Sequence, residues 1–272
     1  MPLPGGWFEN GRCRRDFAFR TVTGSLELAL TEAGENAPSW PASVTSALTL
    51  VLEHLGGRKP ARENVAALCT ADRRFLLRRL QIHLGQGQAW RRAACSSCAE
   101  SFDFFLDVSS LPVKAAGPGY PFATVRLGKE NHRFRLPIGS DQEAIASMED
   151  EVEARWELLR RCWVPAPGRG KAEWQTIRKG GASAFERIEA ALESVSPIVL
   201  SEVEAACPAC GHKNLVDVDA GKAHWAGSGD LLREVHQLAF HYHWSEEDIL
   251  DLGRPRRHSY LALIDQARGM AR

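Results

Sequence analysis

Four cysteines stand in two identical spacings, Cys95-Ser-Ser-Cys98 and Cys207-Pro-Ala-Cys210, the second running on into Gly211-His212. A tight CxxC turn aims two thiolates at one point and exposes backbone N–H groups toward the sulfurs. Two such turns supply the four soft ligands of a closed tetrahedral zinc site. A shell of four thiolates leaves no open coordination position, so a site of this kind is structural and not catalytic. The pairs are separated by 108 residues, far more than the spacer of a compact zinc ribbon, so spacing alone does not join them. Their flanks argue for joining. Ala93-Ala94 precedes the first pair and Ala205-Ala206 the second, while Asp107-Val108 and Asp217-Val218 follow at similar distances. One unit used twice, with Cys95, Cys98, Cys207 and Cys210 sharing a single Zn2+, is the preferred reading. Two separate ions completed by histidines, a redox-active CxxC and metal-free reduced thiols are the alternatives. A redox pair would account for one motif but not for its repetition, and no thioredoxin-like βαβ pattern surrounds either.

The chain has 272 residues and seven cysteines. The odd count, and a start at Met1–Asn10 without the basic and apolar regions of a secretory signal, argue against a disulfide framework and for a reducing cytoplasm. Cys13, Cys69 and Cys162 stand alone and read as small buried apolar residues. Lys plus Arg is 34 and Asp plus Glu is 34, for zero net charge. A protein that grips nucleic acid through phosphates needs a positive field, so nucleic acid is not the expected partner. A local patch could only come from Arg73, Arg74, Arg78, Arg79, Arg91 and Arg92, and the first four read as the solvated flank of a helix. No stretch approaches the roughly 18 apolar residues of a membrane span. No phosphate-binding loop, nucleophile elbow or HExxH is present. His236, His241 and His243, with His212 and His224 nearby, read as helix surface and core edge. The expectation is a protein with no catalytic residues and no small-molecule substrate.

Periodicity sets the elements that must position the cysteines. Phe17, Phe19 and Val22 suggest a short strand broken at Gly24. Ser39-Trp40-Pro41 opens a helix whose apolar face is Val44, Leu48, Val51, Leu52 and Leu55, ended by Gly56-Gly57. A second helix starts near Thr70 or Asp72, with Leu76, Leu77, Leu80 and Leu84 inward. Both knuckles are expected to follow helical stretches and to lead into alternating strands, Phe102-Asp-Phe-Phe-Leu106 and Leu215-Val-Asp-Val218. Residues 111–121 read as loop. Thr124–Leu127 and His132–Pro137 around Gly128–Asn131 read as a β-hairpin. Ser140-Asp-Gln-Glu143 reads as a capping box for a helix running to about Cys162. Residues 164–182 read as a flexible connector, and 183–195 and 229–242 as helices. Ser245-Glu-Glu-Asp248 caps a short helix, and Gly253–His258 is a basic break before a last one. Trp90, Trp156, Trp163, Trp174 and Trp244 are expected at helix positions or ends. The resulting fold class is α+β, mainly helical, with a small antiparallel β-region around two zinc knuckles. Its segments are an N-terminal strand and helical lobe (1–92), the first knuckle and hairpin (93–139), a helical region (140–206) and the second knuckle with a helical tail (207–272).

The order of these pieces resembles the zinc-knuckle proteins encoded beside contractile tails: the baseplate-hub and hub-assembly family of T4-like phages and of related contractile injection systems. The residues that carry it are Asp16–Glu27, Ala94–Asp103, Asp107–Leu111, Phe134–Glu143, Cys207–His212, His241–Leu252 and Arg256–Leu261. The Trp244-Ser-x-x-x-Ile-Leu250 stretch, followed by an Arg-rich turn and Tyr260-Leu261, is the most specific piece. The resemblance implies a non-enzymatic structural or chaperone-like role in building a baseplate or hub, with other tail proteins as partners. It implies residence in the bacterial cytoplasm or incorporation into a tail-like particle. Trp244–Leu261, which mixes aromatic, apolar and basic groups, is the expected partner-binding segment.

Overall fold

A computed structural model describes residues 1–9, 11–168, 170–217 and 228–270. The fold is α+β, with helices carrying most of the core and strands paired in small antiparallel sheets. At the N-terminus β1 (Trp7–Glu9) and β2 (Arg12–Arg14) form a hairpin, and β3 (Phe17–Phe19) follows. Gly24 is not a break: it opens a twelve-residue helix, α1 (Gly24–Glu35), whose first turn is capped by the Thr23 hydroxyl. Glycine fits there because a Cβ would come within 2.9 Å of the Leu250 side chain.

Helix α2 (Trp40–Val51) starts at the Ser39 cap with Pro41 in its first turn. It stops at Val51, earlier than the apolar run suggests, because Leu52–Leu55 leaves the helix to form β4 against β3. Leu52 and Leu55 are fully buried on the strand, so their apolar character alone does not reveal the switch. Helices α3 (Arg62–Ala66) and α4 (Thr70–His83) follow. In α4 the four arginines divide: Arg74 is exposed and Arg79 half-buried, as a solvated flank requires, but the other two are not. Arg73 and Arg78 are buried, Arg73 donating to the Thr45 hydroxyl at 2.8 Å and the Pro41 carbonyl at 2.7 Å, and Arg78 to the Leu200 carbonyl. Asp72 is equally buried and accepts the N–H groups of Gly5 and Gly6 at 2.8 and 2.7 Å, pinning the N-terminal segment to α4.

Strands β5 (Gln88–Ala94) and β6 (Ser101–Asp107) form the hairpin that carries the first cysteine pair. Trp90 therefore lies on a strand and not on a helix. β7 (Val113–Lys114) interrupts the expected 111–121 loop. The hairpin of β8 (Phe122–Leu127) and β9 (Glu130–Arg135) forms where the alternation places it. The helix expected from 140 to 162 is two: α5 (Gly139–Ile145), and α6 (Glu151–Cys162) with its own cap at Asp150. The acidic run around Glu149–Glu153 thus sits at a helix N-terminus, where the dipole favours negative charge. The Asp141 carboxylate fastens this corner, accepting from Arg135, Arg161 and the Ile138 N–H.

The 164–182 stretch is no loose connector. β10 (Trp163–Val164) joins β9, and α7 (Lys171–Lys179) packs Trp174 and Ile177 into the core. After α8 (Gly181–Val195), β11 (Ile198–Val199) pairs with β7. The second cysteine pair follows a strand, β12 (Glu202–Ala206), and not a helix, and leads into β13 (Lys213–Asp217). Val218 and His224 lie outside the described residues. The chain ends in α9 (Ser228–Tyr242), α10 (Glu246–Leu250) and α11 (Arg254–Met270). The basic stretch Gly253–His258 is therefore the start of a helix, with Arg257 fully buried.

Among the described residues, buried apolar side chains fall into three clusters. The main one draws on residues from Leu3 to Val199 and contains Cys69 and Cys162. Burial pushes both thiols up to about 12, so they are inert as nucleophiles or ligands. Cys13, by contrast, is exposed on β2. A second cluster joins α9, α10 and α11 to Leu28 of α1. The third is small and belongs to the cysteine hairpins. No helix among the described residues is long and apolar enough to cross a membrane.

Candidate metal centre

The two cysteine hairpins are copies of one construction. In each, six residues bridge the last strand pair: Cys95–Glu100 between Ala94 and Ser101, and Cys207–His212 between Ala206 and Lys213. The N–H of the first cysteine donates to the carbonyl of the sixth residue, at 2.9 Å in both loops. The N–H of the fifth residue returns to the carbonyl of the first cysteine, at 2.9 Å from Ala99 and 2.8 Å from Gly211. That fifth residue is left-handed in both, with φ 60° at Ala99 and 74° at Gly211. The repeat seen in the sequence is thus a repeat of backbone geometry.

A Cβ at Gly211 would meet nothing within 4 Å, so Gly211→Ala isolates the backbone cost. It should destabilise the hairpin by about 1 kcal/mol, readable by chemical denaturation. Ala99→Gly, which relieves the same strain but loosens the unfolded chain, should be near neutral.

The hairpins meet through their loops. Cys95 Sγ lies 3.6 Å from Cys210 Sγ, and Cys98 Sγ lies 3.8 Å from Cys207 Sγ. All four sulfurs fall within 4.8 Å of one another, close enough to hold one metal ion. An ion bonded to four thiolates at about 2.3 Å spaces them by about 3.8 Å along the tetrahedron's edges, and the short separations match it. Cys95 and Cys207 face the small apolar cluster with Phe102 and Ala205, while Cys98 and Cys210 face outward.

The electrostatics favour a cation. The Cys98 N–H, against a desolvation cost and with help from the Ser97 N–H and the Asn214 amide, holds the Cys95 thiol down at about 6. At Cys98 the Glu100 N–H favours the thiolate, but the surrounding thiols of Cys210, Cys95 and Cys207 and burial oppose it, and the thiol is raised to about 12. One thiolate forms readily and the next is resisted by its neighbours. A divalent ion among them removes that repulsion.

Asn214 of β13 has no sequence signature and is central. Its Oδ1 accepts from the Ser96 N–H at 2.8 Å and the Ser96 hydroxyl at 3.0 Å, while its Nδ2 donates to the His212 carbonyl at 3.0 Å and approaches Cys95 Sγ at 3.6 Å. One buried amide thereby ties the first loop to the second and orients a ligand. Groups in that position commonly control metal affinity by about 10–100-fold. Asn214→Ala should weaken metal retention by that order, measured by competition with a chromogenic chelator.

Among the described residues no histidine joins the sulfurs. His212 contributes its carbonyl, and His236, His241 and His243 are exposed on or just after α9. No protein-family model, curated protein or solved structure matches the chain.

Proposed function

We propose that this is a non-enzymatic, zinc-stabilised structural or assembly protein for the baseplate or hub of a contractile tail or of a related injection system. The observation that carries the reading is the four-cysteine cluster shared between two hairpins of the same loop construction, far apart in sequence. Zinc is the ion that four thiolates at tetrahedral spacing suit best. A closed site of that kind fixes the relative placement of two hairpins and leaves no position for a substrate. The hairpins carry exposed apolar groups, Trp90 (70% exposed) against Phe105 at 5.8 Å between ring centres, and Leu215. Aromatic groups left in water suit contact with another protein. The resemblance of the motif order to contractile-tail proteins supplies the partner class, tail and baseplate proteins met in the bacterial cytoplasm during assembly.

In the segment Trp244–Leu261, expected to face a partner, the polar positions such as Ser245–Asp248 and Arg256 are exposed, but the aromatic and apolar groups are engaged within the chain. Trp244 stacks on Tyr242 and meets Tyr260 edge-on, and Ile249 and Arg257 are buried. Partner contact is better assigned to the hairpins. A zinc-ribbon reader of nucleic acid is the second reading. It loses ground because Arg73 and Arg78 are buried and Arg92 pairs with Asp103 at 2.9 Å.

Deleting the gene in a host that makes a contractile particle should abolish sheathed particles with intact baseplates in negative-stain micrographs. Normal particles in normal numbers would refute the proposal. A salt-sensitive shift of the purified chain on DNA would favour the second reading.

A further inference from the structure

A second group of metal-ligating side chains is separate from the cysteines. Glu130 and His132 are two apart on β9 and so project from one face of the strand. Glu173 comes from the first turn of α7, where the helix dipole favours a carboxylate. Trp174 and Ile177, buried in the main core, hold that helix in place. One ligand atom from each of Glu130, His132 and Glu173 lies within 4.8 Å of the others.

Two further observations point to a ligand. The His132 side chain is only 6% exposed, and its Nδ1 stands 3.0 Å from a Glu173 carboxylate oxygen. Yet that nitrogen makes no aligned hydrogen bond. A ring nitrogen and a carboxylate converging without hydrogen-bond alignment is the arrangement expected when both aim at a third atom. The group also opens on a cleft of ≈ 610 Å³ whose lining includes Gly128, Lys129, Gly170 and Thr176. Three protein ligands leave coordination positions for water or an oxygen ligand on that side.

We propose that Glu130, His132 and Glu173 form a second divalent-cation site, of nitrogen and oxygen ligands and with open positions toward the cleft. Its ligand set is harder than four thiolates and suits Mn2+ or Zn2+. The proposal is independent of what the cysteines do.

The test uses the full chain with the cysteine site left loaded. Mn2+ is the probe, because thiolate sites disfavour it. Loss of the free-ion signal in electron paramagnetic resonance should saturate at one Mn2+ per chain, and excess Zn2+ should displace it. Glu130→Gln and Glu173→Gln should each weaken binding by tenfold or more. Glu130 is exposed, so its variant should keep its circular dichroism and its thiol-bound metal. The proposal fails if Mn2+ binding does not saturate, or if either variant binds as the parent does. His132→Ala serves as a third variant only where its circular dichroism matches the parent's.

Discussion

Cys207→Ser should release the metal and let the two cysteine hairpins part, while the main core stays folded. The apolar cluster beneath the sulfurs consists of Cys95, Phe102, Ala205 and Cys207, flanked by Ala93, Phe104 and Val216, and it shares no residue with the main core. So few side chains cannot hold two hairpins together, and a lone two-stranded hairpin is marginal in water. Metal binding by four thiolates contributes about 10–16 kcal/mol in small zinc domains, so most of the local order should depend on the ion. A serine hydroxyl does not ionise near neutral pH and leaves the shell one ligand short. The base of the second hairpin stays tethered, since Arg78 holds the Leu200 carbonyl and β11 pairs with β7. Amide exchange should therefore rise to nearly unprotected rates across residues 88–107 and 202–217. Exchange in α2 and α4, around Leu48, Val51, Leu76 and Leu80, should not change. Collapse of protection in both regions would mean that the ion holds the whole chain together. Unchanged hairpin protection would mean that it holds nothing.

The metal centre was legible in the sequence because its requirements are local and repeated. A CxxC turn recurs with matching alanine and aspartate flanks, which reads as one unit used twice. The strand after each turn is legible in its alternation, whereas the segment before each turn reads as helix and is a strand. Alanine-rich runs such as Ala93-Ala94 and Glu202–Ala206 favour helix as isolated segments, and only the pairing of β5 with β6 and β12 with β13 makes them strands. Helix α7 was hidden by the glycines and prolines on either side of it. Trp174 and Ile177, three residues apart, were the available signal for its buried face. The buried charges left no trace at all. Arg73 and Arg78 are held by carbonyls of Pro41 and Leu200, and Arg257 by a carboxylate of Glu27. No local pattern announces a partner so far away along the chain. Asn214 was missed for the same reason, because its role is to touch another hairpin.

The largest single-residue effect outside the metal centre should come from that hidden ion cluster. Glu27 on α1 is 2% exposed and accepts from Arg254 at 2.7 Å and Arg257 at 2.8 Å. Arg257 also donates to Glu234 of α9 at 2.9 Å and to the Leu252 carbonyl at 2.8 Å. Desolvation opposes the Arg257 charge, but the carboxylates of Glu27 and Glu234 outweigh it and hold its pKa above the ordinary value. Two carboxylates and two guanidiniums thus balance at the joint between the C-terminal helices and the rest of the chain. The apolar part of that joint is thin, with Leu28 the α1 side chain packed on the C-terminal cluster. Glu27 and Arg257 are 2% and 0% exposed, so removing either deprives the other of a charge partner that water does not replace. Arg257→Met and Glu27→Gln should each cost about 3–5 kcal/mol, the usual penalty for breaking a buried pair. The double variant should cost clearly less than their sum, because the second change removes a charge that the first left stranded. Urea unfolding of the four proteins in the cycle decides the matter. Additive losses would show that the pair contributes packing alone. A coupling of about 2 kcal/mol or more would establish that paired charge, and not apolar area, docks the last three helices onto α1.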